Sequence, residues 1–421
     1  MRILEWLRAF SRNERGNALV IAATTLPLVI AAAAISIDTV QVSLAKRQLQ
    51  RSADSSALAG AHALVQQREV APSVYHDLAL NNDVNLSVSP TIQNAPTAGP
   101  YAGNLRAVRV VLSAERPVPF ISVFWAATMN VTAEATAAIV YAGQFCVLSL
   151  ETGNTTGITF AGNSTVNLGC GVMSNSRSAS AVSAGGSATV IASPVAAVGG
   201  VLPSGAYVGT TNLLPYSPPQ PDPYASLPEP TVPANCQNEY GVQPNQDAPT
   251  PTLSSPGVYC FRGMNIKGTV TLPPGVYIID GGALSFGSQA NVTGTGVSFV
   301  LTSRTATSDP SSIADVSING NAVLNLTAPT SGTYAGVLMY QDRRAPLATS
   351  QINGNSASTF HGGFYFPARV LTFNGTSGMH TDCLQLVARR IAFSGNSNIQ
   401  NNCPANGGAE AFDATLVRLV G

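Results

Sequence analysis

The sequence predicts a mainly β protein with a long N-terminal α-helix. The expected order is a transmembrane helix, a small α+β domain, then a right-handed parallel β-helix, or β-solenoid. Three observations carry this. Residues 17–37 form an uncharged apolar run. Segments between 84 and 140 alternate apolar and polar residues, the period of half-buried strands. In the C-terminal half a short Gly-Asn/Thr element recurs at intervals near 20.

The composition limits the function classes. Charged residues are only 10% of the 421, with Lys+Arg and Asp+Glu at 21 each. Charge-rich disorder is excluded, and no net field favours nucleic acid as a partner.

Arg2, Arg8, Arg12 and Arg15 precede the apolar run and face only Glu5 and Glu14. Residues 1–16 therefore read as a basic leader held on the cytoplasmic side. The run from Asn17 to Ile37, at ~1.5 Å rise per residue, spans roughly 30 Å, one hydrocarbon core. Pro27 is compatible with a membrane helix. The alternative is a cleaved signal peptide, with Ala31–Ala34 as the small-residue site, but its apolar core is expected to be only ~7–15 residues. Residues 38–65 continue without proline. Val42, Ala45, Leu49, Ala53, Ser56, Gly60 and Leu64 recur every three or four residues, giving one helix face made largely of small side chains. One transmembrane and continuing helix over 17–65 follows.

Residues 66–143 are expected to form a small antiparallel sheet packed on that helix, with strands near Val84–Val88, Ala107–Leu112 and Met129–Val140. Between the last two lies the apolar stretch Val118-Pro-Phe-Ile-Ser-Val-Phe-Trp125.

Residues 144–421 are expected to be the β-solenoid. The recurring element is Phe160-Ala-Gly-Asn, Ile266-Lys-Gly-Thr, Ile318-Asn-Gly-Asn, Ile352-Asn-Gly-Asn, Phe373-Asn-Gly-Thr and Phe393-Ser-Gly-Asn. Gly354, Gly375 and Gly395 are 21 and 20 apart, a repeat in which each coil stacks on the next. The proline-dense stretch 202–235 is an extended excursion from it. Cys146, Cys170, Cys236, Cys260, Cys383 and Cys403 contain no CxxC pair and lack zinc-spaced histidines, so disulfides rather than a metal are expected. The spacings within successive pairs are 24, 24 and 20. Equivalent positions of stacked coils lie ~4.8 Å apart, inside the ~4.4–6.8 Å disulfide window. The pairing 146–170, 236–260 and 383–403 is expected.

No catalytic constellation is legible. Asp280, Asp315, Asp342 and Asp382 are scattered, and Arg343-Arg344 and Arg389-Arg390 read as solvated basic pairs. His380-Thr-Asp-Cys383 reads as a corner beside a disulfide. No GxSxG elbow or phosphate loop occurs. No catalytic residue, cofactor or metal is expected. The alternatives are a surface carbohydrate-active β-helix enzyme and an adhesin unrelated to pili.

The segments Glu14-Arg-Gly-Asn-Ala-Leu-Val20, Leu26-Pro-Leu28, Ile37-Asp38 and Ala45-Lys-Arg-Gln-Leu-Gln-Arg-Ser-Ala-Asp-Ser-Ser-Ala-Leu-Ala-Gly-Ala61 resemble the N-terminal region of TadE/TadG-like Tad (Flp) pilus-assembly proteins. The resemblance implies a pseudopilin-like, membrane-anchored structural component of a bacterial Tad pilus or secretion apparatus. It implies a single pass through the inner membrane, with the C-terminal region periplasmic or extracellular. Partners would be Tad pilus-assembly proteins through the helix, and glycans or host and abiotic surfaces through the solenoid. It also implies prepilin-peptidase cleavage between Gly16 and Asn17. Most pilins carry Glu five residues into the mature chain; here that position is Ile21, so a retained anchor stays open. The stretches 256–286 and 292–301 resemble the solenoid-like C-terminal half of some TadG-like proteins. The DxSxS motif of family members with a von Willebrand A domain is absent.

Overall fold

The computed structural model describes residues 14–82, 84–120, 122, 128–202, 206–208, 212–354, 357–375, 379–395, 398–401 and 412–421. It is mainly β with one long N-terminal helix, and divides into two compact units. The first comprises residues up to Val140 together with Val417–Gly421; the second is Tyr141–Leu416.

In the first unit, helix α1 (Glu14–Val65) runs for 52 residues with Pro27 inside it. Helix α2 (Val70–Asn81) follows, with Pro72 in its first turn, where a missing N–H is tolerated. The sheet has strands β1 (Thr91–Asn94), β2 (Ala107–Pro117) and β3 (Thr128–Ser149). β2 pairs antiparallel with both β1 and β3. Leu49, Ala53, Ala57 and Ala61 of α1 pack with Val108, Val110 and Leu112 of β2 and Ala133 and Ala135 of β3. The alanines on both faces let the helix backbone lie close to the sheet. A Cβ on Gly60 would sit 2.8 Å from Val108 Cγ1 and 3.1 Å from Val74 Cγ2. The final strand, Phe412–Leu419, carries Val417 to this core, and the Val420 amide donates to the Thr136 carbonyl at 2.8 Å.

One local expectation differs, and one helix was not foreseen. No strand forms over 84–88, because Asn82 takes both backbone groups of Val84, its Nδ2 donating to the carbonyl at 2.7 Å and its Oδ1 accepting from the amide at 3.2 Å. Such a side-chain turn competes with strand pairing. The helix α2 was not legible, because only Val74 and Leu78 are buried in it and that is too short a stripe for a period. Of the apolar stretch 118–125, residues 121 and 123–125 lie outside the described residues.

The second unit is a stack of three-stranded coils, the arrangement of a parallel β-helix. Each strand pairs in parallel with the strand one coil later. On one side the run is Val258–Phe261, Gly275–Asp280, Val297–Thr302 and Val337–Gln341, continued by the middle parts of the 17-residue strands Thr359–Gly375 and Met379–Gly395. The other two sides pair likewise. The recurring apolar-x-Gly element lies along one line of the interior. Ile266, Phe286, Ile318, Ile352, Phe373, Phe393, Phe160 and Ala184 are successive register partners, all buried. Phe373, Phe393 and Phe160 stack with centroids 5.7 and 5.0 Å apart.

That ladder is out of chain order. The chain enters the stack in its interior: Val147–Ser149 of β3 pair with Leu386–Ala388. From there it winds outward through Ile158–Phe160, Gly171–Ser174 and Val195–Ala197 to Leu213–Leu214. Residues 215–236 then return along the outside to the opposite end, where Gln237 bridges Phe261 and Tyr240–Val242 pair with Met264–Ile266. From that end the chain winds back to the coil where it entered, and Asn398–Gln400 pair with Thr165–Asn167.

Candidate functional site

The candidate site is α1, whose surface changes character at Asp38. Residues 21–30 are all exposed, including Leu28 at 70% and Val29 at 63%. Among the described residues this is the one helix long and apolar enough to cross a membrane. Its hydroxyls suit that setting. Thr24 and Thr25 donate to the Ile21 carbonyl at 3.0 and 2.7 Å, and Ser36 donates to Ala32 at 2.8 Å. All three polar side chains of 21–37 are thus satisfied on the helix itself, as lipid requires.

Asp38 is 1% exposed and accepts from the Phe120 amide at 3.4 Å. From Ala45 onward one helix face is buried. Polar groups pin α2 to it: Asp77 accepts from Ser55 and Ser56 at 3.0 and 3.2 Å, and Ser52 donates to Asn82 at 3.1 Å. A hollow beside this contact is lined by His62, Arg68, His76 and Asp77, among others. Burial lowers the His62 pKa and favours its neutral form. Among the described residues, no three His, Cys, Asp or Glu side chains are placed to hold a metal.

The Gly16–Asn17 bond lies inside α1, in unbroken helix. Cys146–Cys170 and Cys236–Cys260 are disulfides with Cα atoms 5.8 and 4.6 Å apart, each joining neighbouring coils. Cys383 is in backbone register with His361; Cys403 lies outside the described residues. His380 and Asp382 sit on the same strand as Cys383.

Several carboxylates and arginines of the β-helix are engaged with each other, and the two basic pairs are structural rather than simply solvated. Glu151 holds Arg389 at 3.0 Å and Arg390 at 3.5 Å. Burial alone would raise its pKa, but the Gly153 amide and the two guanidinium groups outweigh that and hold it below the ordinary value. Asp342, fully buried, accepts from Thr302 at 2.7 Å and Arg344 at 2.6 Å; these bonds overcome its desolvation and lower its pKa. Asp280 pairs with Arg304 at 2.6 Å, and Asp315 accepts from Ser350 at 2.6 Å.

One cluster escaped sequence reasoning. On the outer side of the β-helix, Arg343 Nε donates to Tyr365 Oη at 2.8 Å, and Tyr365 Oη donates to Asp222 at 2.7 Å. Arg343 also donates to the carbonyls of Leu227, at 2.8 Å, and Tyr224. Tyr224 Oη donates to Gln385 at 2.7 Å. Asp222, Tyr224 and Leu227 belong to the proline-dense excursion. Its one available signal was that polar and aromatic residues sit among the prolines of 214–224.

Searches of curated proteins and of solved structures return no match. Residues 16–63, which are the membrane-length apolar run and the small-residue face of α1, match the family model described as Tad, putative Flp pilus-assembly TadE/G-like.

Proposed function

We propose that this protein is a membrane-anchored structural component of a Tad/Flp pilus or secretion apparatus that presents its β-helix for assembly or adhesion. The division of α1 at Asp38 carries the reading. The stretch before it has an apolar surface with self-satisfied hydroxyls; the stretch after it is built into a folded unit. The match over 16–63 supports the pilus-related assignment. In this reading residues 1–16 face the cytoplasm, 17–37 cross the inner membrane, and the remainder is periplasmic or extracellular. The partners are Tad assembly proteins contacting the helix, and glycans or other surfaces contacting the β-helix.

A structural role fits the polar chemistry better than a glycan-cleaving one. Hydrolysis needs two carboxylates set at a fixed separation with their oxygens free for substrate. Glu151, Asp280 and Asp342 instead spend theirs on arginines of the same or a neighbouring coil.

The expected result is that the full chain resists alkaline extraction from membranes and co-purifies with Tad assembly proteins. Leu28→Asp with Val29→Asp should release it to the soluble fraction. Retention of that variant in the membrane would overturn the anchor. N-terminal sequencing of the mature chain separates a retained anchor, starting at Met1, from peptidase processing, starting at Asn17.

A further inference from the structure

Among the described residues, the β-helix has a joint between two neighbouring coils that no coil-to-coil turn crosses. Coils wound from entry to exit in one direction would leave the two chain ends roughly 40 Å apart at ~4.8 Å per coil. Here the chain enters through β3 and exits after Asn401 at neighbouring coils. The consequence is a seam between residues 145–167 and 384–401. It is closed by backbone pairing, by the Phe160–Phe393 stack at 5.0 Å and by the Glu151–Arg389 pair at 3.0 Å. Cys146–Cys170 lies wholly on one side of the seam and Cys236–Cys260 wholly on the other. Among the described residues no disulfide crosses it.

The proline-dense excursion does cross it. On one side the Ser217 amide donates to the Ala197 carbonyl at 2.8 Å, and Gln220 exchanges hydrogen bonds with Asn175 at 2.8 and 2.9 Å. On the other side Asp222 and Tyr224 are tied to Tyr365, Gln385 and Arg343. Prolines make the segment stiff and extended. It therefore acts as a tie rather than a slack linker. Its anchoring residues lie only a few positions apart on either side of the seam.

We propose that residues 214–236 are a clasp for this seam. The β-helix opens locally at the junction of residues 145–167 with 384–401, and the Asp222/Tyr224 knot holds that opening in check. Local opening of a stacked structure follows its least supported interface. This interface has low covalent support, and excursion contacts hold the coils on both sides of it.

Hydrogen exchange on the full chain in detergent tests it. The reporters are the amides of Leu150, Ala161 and Ile391, which donate across the seam to Ala388, Phe393 and Gly157. The references are Val276 and Gly287, which donate between coils inside the C-terminal run. Tyr224→Ala is expected to speed exchange at the reporters about tenfold and leave the references unchanged. Thr159 and Ala392 are outward-facing register partners across the seam. A disulfide between Thr159→Cys and Ala392→Cys should restore reporter protection in the Tyr224→Ala background. Unchanged exchange, an equal rise in reporters and references, or failure of the cross-seam disulfide to restore protection would each overturn the clasp.

Discussion

At the scale of single residues, contact distance and charge decide most outcomes. Gly60 has Val108 Cγ1 2.8 Å from where its Cβ would be, with buried neighbours on both sides of the contact. Gly60→Val should lower the stability of the first unit by roughly 1–3 kcal/mol through overpacking, read as an earlier thermal transition. The small-residue face was legible in the sequence, but its reason was not, since only the fold shows which backbone it approaches. Glu151 is a second case. Its folded pKa is depressed, so its contribution is present above the unfolded value near 4.5 and is lost as pH falls through the folded value. Glu151→Gln should therefore reduce the melting temperature at neutral pH, and the gap to the parent should close on acidification through the carboxylate range. A gap independent of pH would assign the loss to packing instead.

At the scale of elements, the interior ladder of the β-helix is the main source of cohesion. Phe393 is fully buried between Phe373 and Phe160. Phe393→Ala should cost about 3–5 kcal/mol, the usual range for a large core truncation, measured by denaturant unfolding. The six recurring elements of the sequence mark this ladder, but two rungs carry different residues. Phe286 precedes Gly-Ser and Ala184 precedes Gly-Gly, so a strict repeat overlooks them, whereas register alignment does not. The ladder needs only an apolar residue that fills the same gap. Of the disulfides, Cys146–Cys170 closes a loop of 24. Cys170→Ser with Cys146→Ser should cost about 2–4 kcal/mol, seen as a lower melting temperature than the oxidised parent.

At the scale of the whole molecule, the second unit is inserted into the first. β3 leads into it, and the strand Phe412–Leu419 brings the chain back to Thr136. An inserted unit needs its two chain ends close together, and the out-of-order winding supplies this for an elongated stack. The excursion is what that topology requires, and its aromatic knot gives it a pH limit. Burial raises the pKa of Tyr224 and Tyr365, and that of Tyr340, whose ring lies 5.3 Å from that of Tyr365, to about 12. A raised folded pKa means the contribution is intact below the ordinary phenol value and is lost as pH rises through the folded value. Phenolate absorbance should show a late-titrating tyrosine class whose appearance coincides with loss of reporter-amide protection at the seam.

The sequence by itself determined the apolar span, the small-residue face continuing from it, and the alternation and near-20 period that make the C-terminal half coil. These are local patterns: each residue's burial follows from its neighbours within a turn, a strand or a coil. Only the tertiary structure decided which coil lies on which. Ser149 donates to the Arg389 carbonyl from 240 residues away, and every coil edge presents the same backbone groups and a similar apolar rung. Nothing in the local pattern distinguishes the edge met by the next coil in sequence from the one met by a distant coil. The same holds for the excursion, where prolines dictate an extended chain but the docking surface is assembled from strands far along the sequence. The seam and its clasp are therefore properties of the stacked whole.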